Sequence, residues 1–171
     1  MTSQSADGTL RRVMGLDVGD RTLGVAVSDE LRVTAQGVMV LRRRTPGRDV
    51  QAALEFARER RVGLVVVGFP RSLNGEIGPQ AVKVLDFVKV LREASPIPVE
   101  LWDERLTTRI AQHALRTAGT SRVRRKALVD QVAAAVILQG FLDFRRSAAG
   151  RSAPCFGMPS QASPGDGGGS G

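Results

Sequence analysis

Three short blocks rich in valine, leucine and glycine open the hydrophobic pattern of the chain: LRRVMGLDVG from residue 10, TLGVAVSD from residue 22 and RVTAQGVMVL from residue 32. The links between them, GDR and ELR, are short enough for hairpins, so the pattern predicts an antiparallel meander. Beyond RRRTPGRD the period lengthens: in VQAALEFARERR, Val50, Leu54 and Ala57 recur at helical spacing. GLVVVGFP is an unbroken apolar run, the mark of a strand covered on both faces. Residues 76–93 read as helix, PIPVELWDE as a fifth strand, LTTRIAQHALRTA as a helix, and about Arg122 to Phe144 as a longer closing helix. The order βββαβαβαα predicts a mixed α/β fold, with crossover helices making the later strands parallel to the first.

The ends of the chain lack this periodicity. Residues 1–9 are polar with no apolar run, and residues 147–171 are built of Gly, Ser, Pro and Ala, so both are expected to be disordered around one domain spanning residues 10–146. No segment approaches the roughly 20 apolar residues of a membrane helix, so a soluble, membrane-free protein is expected. The single cysteine, Cys155, lies in the tail, which excludes an internal disulfide and fits the cytoplasm.

Charge narrows the class of partner. The chain carries a formal net charge of +8, with arginine clustered as RRR at 42–44, RERR at 58–61 and RVRRK at 122–126. Such a surface suits a polyanion, or is a solvated basic face. Tyrosine is absent and aromatic content is 4%, so a nucleic acid would be held mainly through its phosphates.

Within this basic chain three acids stand at the ends of elements. Alternation on the first strand places Val13, Gly15, Asp17 and Gly19 on one face and Met14, Leu16 and Val18 on the other. On the second strand Thr22, Gly24, Ala26 and Ser28 share a face. If these small faces adjoin, Asp17 stands in a bare trough that admits a backbone or a phosphate. The plainer alternative makes Asp17 and its glycines part of a turn, which leaves an interior acid with no neighbouring counter-charge in sequence. In WDERLTT, where the fifth strand ends, Asp103 suits a helix cap and Glu104 is left to face a ligand. Asp130, in KALVDQVAAAVILQGFLDF, shares a helix face with Lys126, Ala127, Ala133, Ala134 and Ile137, a stripe small enough to lie close to a sheet. A Lys126 ion pair is its structural alternative. Three carboxylates converging from two strands and a helix would suit Mg2+ or Mn2+ and phosphodiester hydrolysis.

The segments GLDVGDRTLGVAVSD at 15–29, VVGFPRSLNGEIGP at 66–79, DERLTT at 103–108 and KALVDQVAAAVILQGFLD at 126–143 together resemble the YqgF/RuvX family. That family lies in the ribonuclease H-like superfamily, which also holds the RuvC resolvases. The resemblance spans Val13 to Asp143 and implies a five-stranded mixed sheet flanked by helices, with metal-dependent cleavage of nucleic acid. It implies maturation of small-subunit ribosomal RNA precursor as the role, with a Holliday junction or single-stranded DNA as the variant substrate, and leaves a homodimer open. By position, Asp17, Glu104 and Asp130 match the family's acidic triad. Arg71, Asn74 and Gly75 fall in the loop after the fourth strand, where they would contact phosphate, as would Arg105 and Thr107 after Glu104. Arg124, Arg125 and Lys126 are further expected phosphate contacts. RuvC-type enzymes carry another acid shortly after the one on the last helix; here Gln131, Val132 and Ala133 follow Asp130.

Two other classes compete. A nucleic-acid-binding factor without catalysis would show the same basic surface, and an ATPase of the actin and sugar-kinase type uses a similar Asp and glycine hairpin but needs two such lobes. His113 is expected to be a surface or packed residue. Trp102, within a strand, is expected to pack in the core or cover a sheet edge.

Overall fold

The computed structural model describes residues 11–70, 77–103 and 122–149, with residues 122–130 described by their backbone alone. Strands β1 (Arg12–Val18), β2 (Thr22–Ser28) and β3 (Ala35–Arg42) form the meander, followed by helix α1 (Pro46–Glu59), β4 (Val62–Phe69), α2 (Pro79–Ala94) and β5 (Val99–Asp103). The final helix, α3, runs Arg122–Ala149 and so reaches three residues into the stretch read as tail. The helix expected in LTTRIAQHALRTA, with His113, lies outside the described residues, as do residues 1–9 and Cys155.

The five strands form one mixed sheet in the order β3-β2-β1-β4-β5. β1–β2 and β2–β3 pair antiparallel, whereas β1–β4 and β4–β5 pair parallel. This is the topology that short hairpin links followed by helical crossovers impose. The carboxyl ends of β1, β4 and β5 consequently share one sheet edge.

Alternation divides the side chains between two cores. Met14, Leu16, Val18, Leu23, Val25, Val27, Val65 and Val67 face α1 and α2, where Val50, Phe56, Val84, Phe87 and Leu91 close over them. Val13, Ala26, Val66 and Trp102 face α3, against Ala134, Ile137, Leu138, Phe141 and Leu142. Trp102 is a core residue, edge-on to Phe141 with ring centroids 5.7 Å apart.

Both described crossover helices begin at proline. Thr45 caps α1 by accepting from the Arg48 amide at 3.4 Å, with Pro46 in the first turn; Gly78 precedes Pro79 at the start of α2. Proline suits this position because its missing N–H would have had no partner within the helix. The boundaries therefore fall at Pro46, four residues before the periodic stretch, and at Pro79, three residues after Glu76.

Candidate active site

The site is built on the α3 face of the sheet, at the carboxyl end of β1. Asp17 is half-buried and pairs across the hairpin with Gly24. On its other side, β1–β4 pairing runs as far as Leu16 opposite Val67; the following residue of β4, Gly68, pairs with Trp102. Gly24 leaves the position opposite Asp17 without a side chain, as alternation predicted, and both Gly24 and Gly68 are buried. Asp17 also takes part in a polar or electrostatic interaction, so it is not an isolated charge.

The adjoining row explains how a helix approaches this face. Gly37, Ala26 and Gly15 are neighbours across β3, β2 and β1. A Cβ on Gly15 would lie 2.7 Å from the Leu138 Cβ and 3.2 Å from the Ala134 carbonyl oxygen, and one on Gly37 would lie 2.5 Å from the Gln131 carbonyl oxygen. Both glycines are required by close approach of the α3 backbone. Two glutamines fix the course of the helix: the Gln131 amide donates to the Gly37 carbonyl at 2.8 Å, and Gln139 accepts from the Ala35 amide at 2.9 Å and donates to the Val33 carbonyl at 3.0 Å. From Gln131 to Gln139 the contacts move backward along β3, so α3 runs antiparallel to β3 and β1.

This course relates Asp130 to Asp17. Asp130 lies one helical turn, about 6 Å, before Ala134, and Asp17 lies two strand residues, about 6.6 Å, beyond Gly15. Both steps run toward the same sheet edge, which brings the two backbone positions level. The side chain of Asp130 lies outside the described residues, as do those of Arg124, Arg125 and Lys126 in the first turn of α3. Asp103, which pairs with Phe69, ends β5 at the same edge and is itself engaged in an interaction; Glu104, Arg105 and Thr107 follow it in sequence. Arg71 and Asn74 follow β4. These five lie outside the described residues. Among the described residues no group of three His, Cys, Asp or Glu side chains could hold a metal ion, since Asp17 is the single member of the expected triad whose side chain is described. The Asp17 carboxylate is an anionic oxygen donor of the kind that suits a hard divalent cation.

Sequence reasoning missed how the turn after Asp17 is held. Arg43, read as part of an exposed arginine cluster, turns inward. Its Nη1 donates to the Gly19 carbonyl at 2.8 Å, its Nε meets Asp49 Oδ2 at 3.3 Å, and its guanidinium lies 5.6 Å from the centre of the Phe87 ring. Asp49 is 5% exposed and also accepts from the Arg44 amide at 2.9 Å. From α2, Gln80 donates to the Val18 carbonyl at 2.7 Å, and Lys83 pairs with Asp20 at 2.5 Å. That Lys83 hydrogen bond and charge hold the Asp20 carboxyl below its ordinary range. Every residue from Val18 to Asp20 is thereby tied to a neighbouring element. The only sequence signal was an acid six residues after an arginine, which is too common to single out.

The family model "RuvX: Holliday junction resolvase" matches residues 11–144. A protein of Clostridioides difficile (strain 630) named "Putative pre-16S rRNA nuclease" is 46% identical over 134 residues, covering 78% of this chain and 95% of that protein. A protein of the same name from Clostridium novyi (strain NT) is 46% identical over 132 residues, covering 77% of this chain and 98% of the other. Among solved structures, T. thermophilus RuvC in complex with Holliday junction substrate superposes with a TM-score of 0.53 at 19% identity, covering 79% of this chain and 96% of that one. At that identity the likeness shows the fold. The family match spans both cores, Asp17 and most of α3, and the chain belongs to the RuvX family.

Proposed function

We propose that this chain is a metal-dependent nuclease that hydrolyses phosphodiester bonds in the precursor of small-subunit ribosomal RNA, in the cytoplasm. The observation that carries the reading is Asp17: a carboxylate at the carboxyl end of a central strand, paired with Gly24 on the sheet face that α3 approaches. The names borne by its relatives favour RNA, and the family's own description makes junction DNA the alternative substrate. Among the described residues no helix is long and apolar enough to cross a membrane.

In this reading Asp17, Glu104 and Asp130 hold Mg2+ or Mn2+. Two bound ions would lower the pKa of the attacking water and stabilise the leaving oxygen. The chain's own contribution is placement. Arg43, Gln80 and Lys83 fix the turn that follows Asp17. Arg71, Asn74, Arg105, Thr107, Arg124, Arg125 and Lys126 bind neighbouring phosphates, with arginine forks suited to paired phosphate oxygens.

Incubating the purified protein with ribosomal precursor RNA, single-stranded DNA and four-way junctions, with Mg2+, Mn2+ or EDTA, tests the proposal. Metal-dependent cleavage favouring the RNA precursor supports it, preferential cutting of junctions selects the alternative substrate, and binding without cleavage under every metal overturns it.

A further inference from the structure

The end of the sheet opposite Asp17 carries a second concentration of positive charge. A cleft of about 1300 Å3 runs along α1, past the C-terminal end of α2, to the starts of β1 and β4. Its rim bears Arg11, Arg12, Arg58, Arg60 and Arg61. Its floor includes Val50, Leu54, Val62, Val90 and Ile97, of which Leu54, Val90 and Ile97 are partly buried against the core below.

The acids around the cleft do not neutralise this rim. Glu30 is paired with Arg12 at 3.1 Å, and Glu55 accepts from Gln51 at 3.4 Å. Glu59 is the third acid there, against five arginines. Among the described residues, no hydrogen bond or ion pair engages the side chains of Arg11, Arg58 or Arg61. Arg60 rests on the Phe56 ring at 5.2 Å, which leaves its guanidinium donors open. Arg32 joins the group by donating to the Arg11 carbonyl at 2.7 Å. Arginines suit the C-terminal turn of α1, where the helix dipole favours cations, but that attraction uses no guanidinium N–H.

Arg61 has a φ of 54° and Arg32 a φ of 57°. Both lie in the left-handed region that side-chain-bearing residues seldom occupy, and glycine or asparagine would be the easier choice there.

We propose that this cleft is a second nucleic-acid site, an anchor for a single-stranded segment of the substrate remote from the point of cleavage. The proposal rests on the nuclease reading above. Arginine forks on the rim match phosphate oxygens, and the half-buried aliphatic side chains of Leu54, Val90 and Ile97 offer apolar contact to unpaired bases and sugars, which a duplex keeps stacked inside. Arg12 and Asp17 are five residues apart on β1, about 17 Å, so a strand engaged at both places must bridge at least that distance. A substrate held at both ends of the sheet gains effective concentration at the cutting edge.

Binding measured in EDTA, where nothing is cut, separates this claim from the nuclease claim. Fluorescence anisotropy would follow a labelled unstructured RNA of about 30 nucleotides and a blunt RNA duplex of similar length, with wild type, Arg58→Ala/Arg61→Ala and Arg58→Lys/Arg61→Lys. The alanine pair should weaken single-strand binding roughly tenfold and reduce the slope of log K against log salt by about 1.4, at about 0.7 per lost phosphate contact. Duplex binding should hold and the lysine pair should restore the slope. Both positions are exposed, so an unchanged melting temperature is expected and shows that the variants fold. Wild-type affinity and slope in the alanine pair, or equal losses for single strand and duplex, would overturn the anchor whether or not the protein proves to be a nuclease.

Discussion

The two faces of the sheet are built by opposite rules. Toward α1 and α2 the strands present Met14, Leu16, Leu23, Val25, Val65 and Val67, which fill space with branched and bulky side chains. Toward α3 they present Gly15, Ala26 and Gly37, whose lack of bulk leaves the face open to the helix backbone. On the first face stability comes from buried apolar area. On the second, small residues give up some of that area so that a helix backbone can approach the sheet beside a carboxylate. The charge of Asp17 is readable in the sequence because the strand positions on its own face, Gly15 and Gly24, are small.

If that contrast is right, the two faces should fail differently. The largest stability effect is expected on the filled face: Leu91→Ala, at a fully buried position in α2, should cost about 2–5 kcal/mol in urea denaturation and leave the cleavage rate of the folded protein unchanged. On the open face, Gly15→Val would drive a side chain into Leu138 and the Ala134 carbonyl. It should cost less, about 1–3 kcal/mol, yet abolish cleavage, because α3 must move away from the sheet and carry Asp130 with it. Equal losses of activity at the two positions would erase the distinction.

Much of this contrast was legible in the sequence. Strict alternation around Asp17 assigned Met14, Leu16 and Val18 to one face and Gly15 and Asp17 to the other, because a strand has a period of two whatever its neighbours. The two irregularities of the sheet were not legible. Val38 is an extra residue where β3 meets β2, between the pairs Val25–Met39 and Ala26–Gly37, and Gly63 is an extra residue where β4 meets β1, between Arg12–Val62 and Val13–Leu64. Bulges answer to the twist of the whole sheet and not to local composition. Gln131 was noted only as the residue standing where the RuvC pattern carries a further acid nearby; its bond to Gly37 across the sheet depends on where α3 crosses, which no local pattern encodes. Arg43 was hidden among like charges, since RRR reads as a solvated cluster until the fold turns its middle member inward.

Arg43 supplies the next test of the comparison, since it links the two regions: it lies over Phe87 of the filled face and holds the turn after Asp17. Asp49→Asn keeps an acceptor for the Arg44 amide but removes the charge opposing Arg43. It should cost about 1–2 kcal/mol and loosen metal binding, measurable by calorimetric titration. Wild-type metal affinity in this variant would show that the turn needs no such support.

The smallest effect is the acid limb of stability. The Lys83 hydrogen bond and charge lower the Asp20 pKa, and the backbone hydrogen bond from Val33 lowers that of Asp29. A depressed folded-state pKa means stability that is present above the unfolded aspartate range and is lost as pH falls through the lower folded value. Asp29→Asn should therefore lower the melting temperature slightly at neutral pH, and the difference from wild type should close in acid. Asp20→Asn should behave alike, and a gap that widened on acidification would contradict the assignment. Asp20 is exposed and Asp29 is half-exposed, so screening by salt should shrink these differences further.

The central claim is that the open face exists to present Asp17, and Asp17→Asn tests it with little change of shape. Cleavage of ribosomal precursor RNA in Mg2+ and in Mn2+, and affinity for the same RNA in EDTA, would be measured side by side for wild type and variant. The account predicts that cleavage falls by about 100-fold or more while RNA affinity is retained, because the basic groups that hold phosphate are untouched. An Asp17→Asn protein that cuts RNA at the wild-type rate would contradict it.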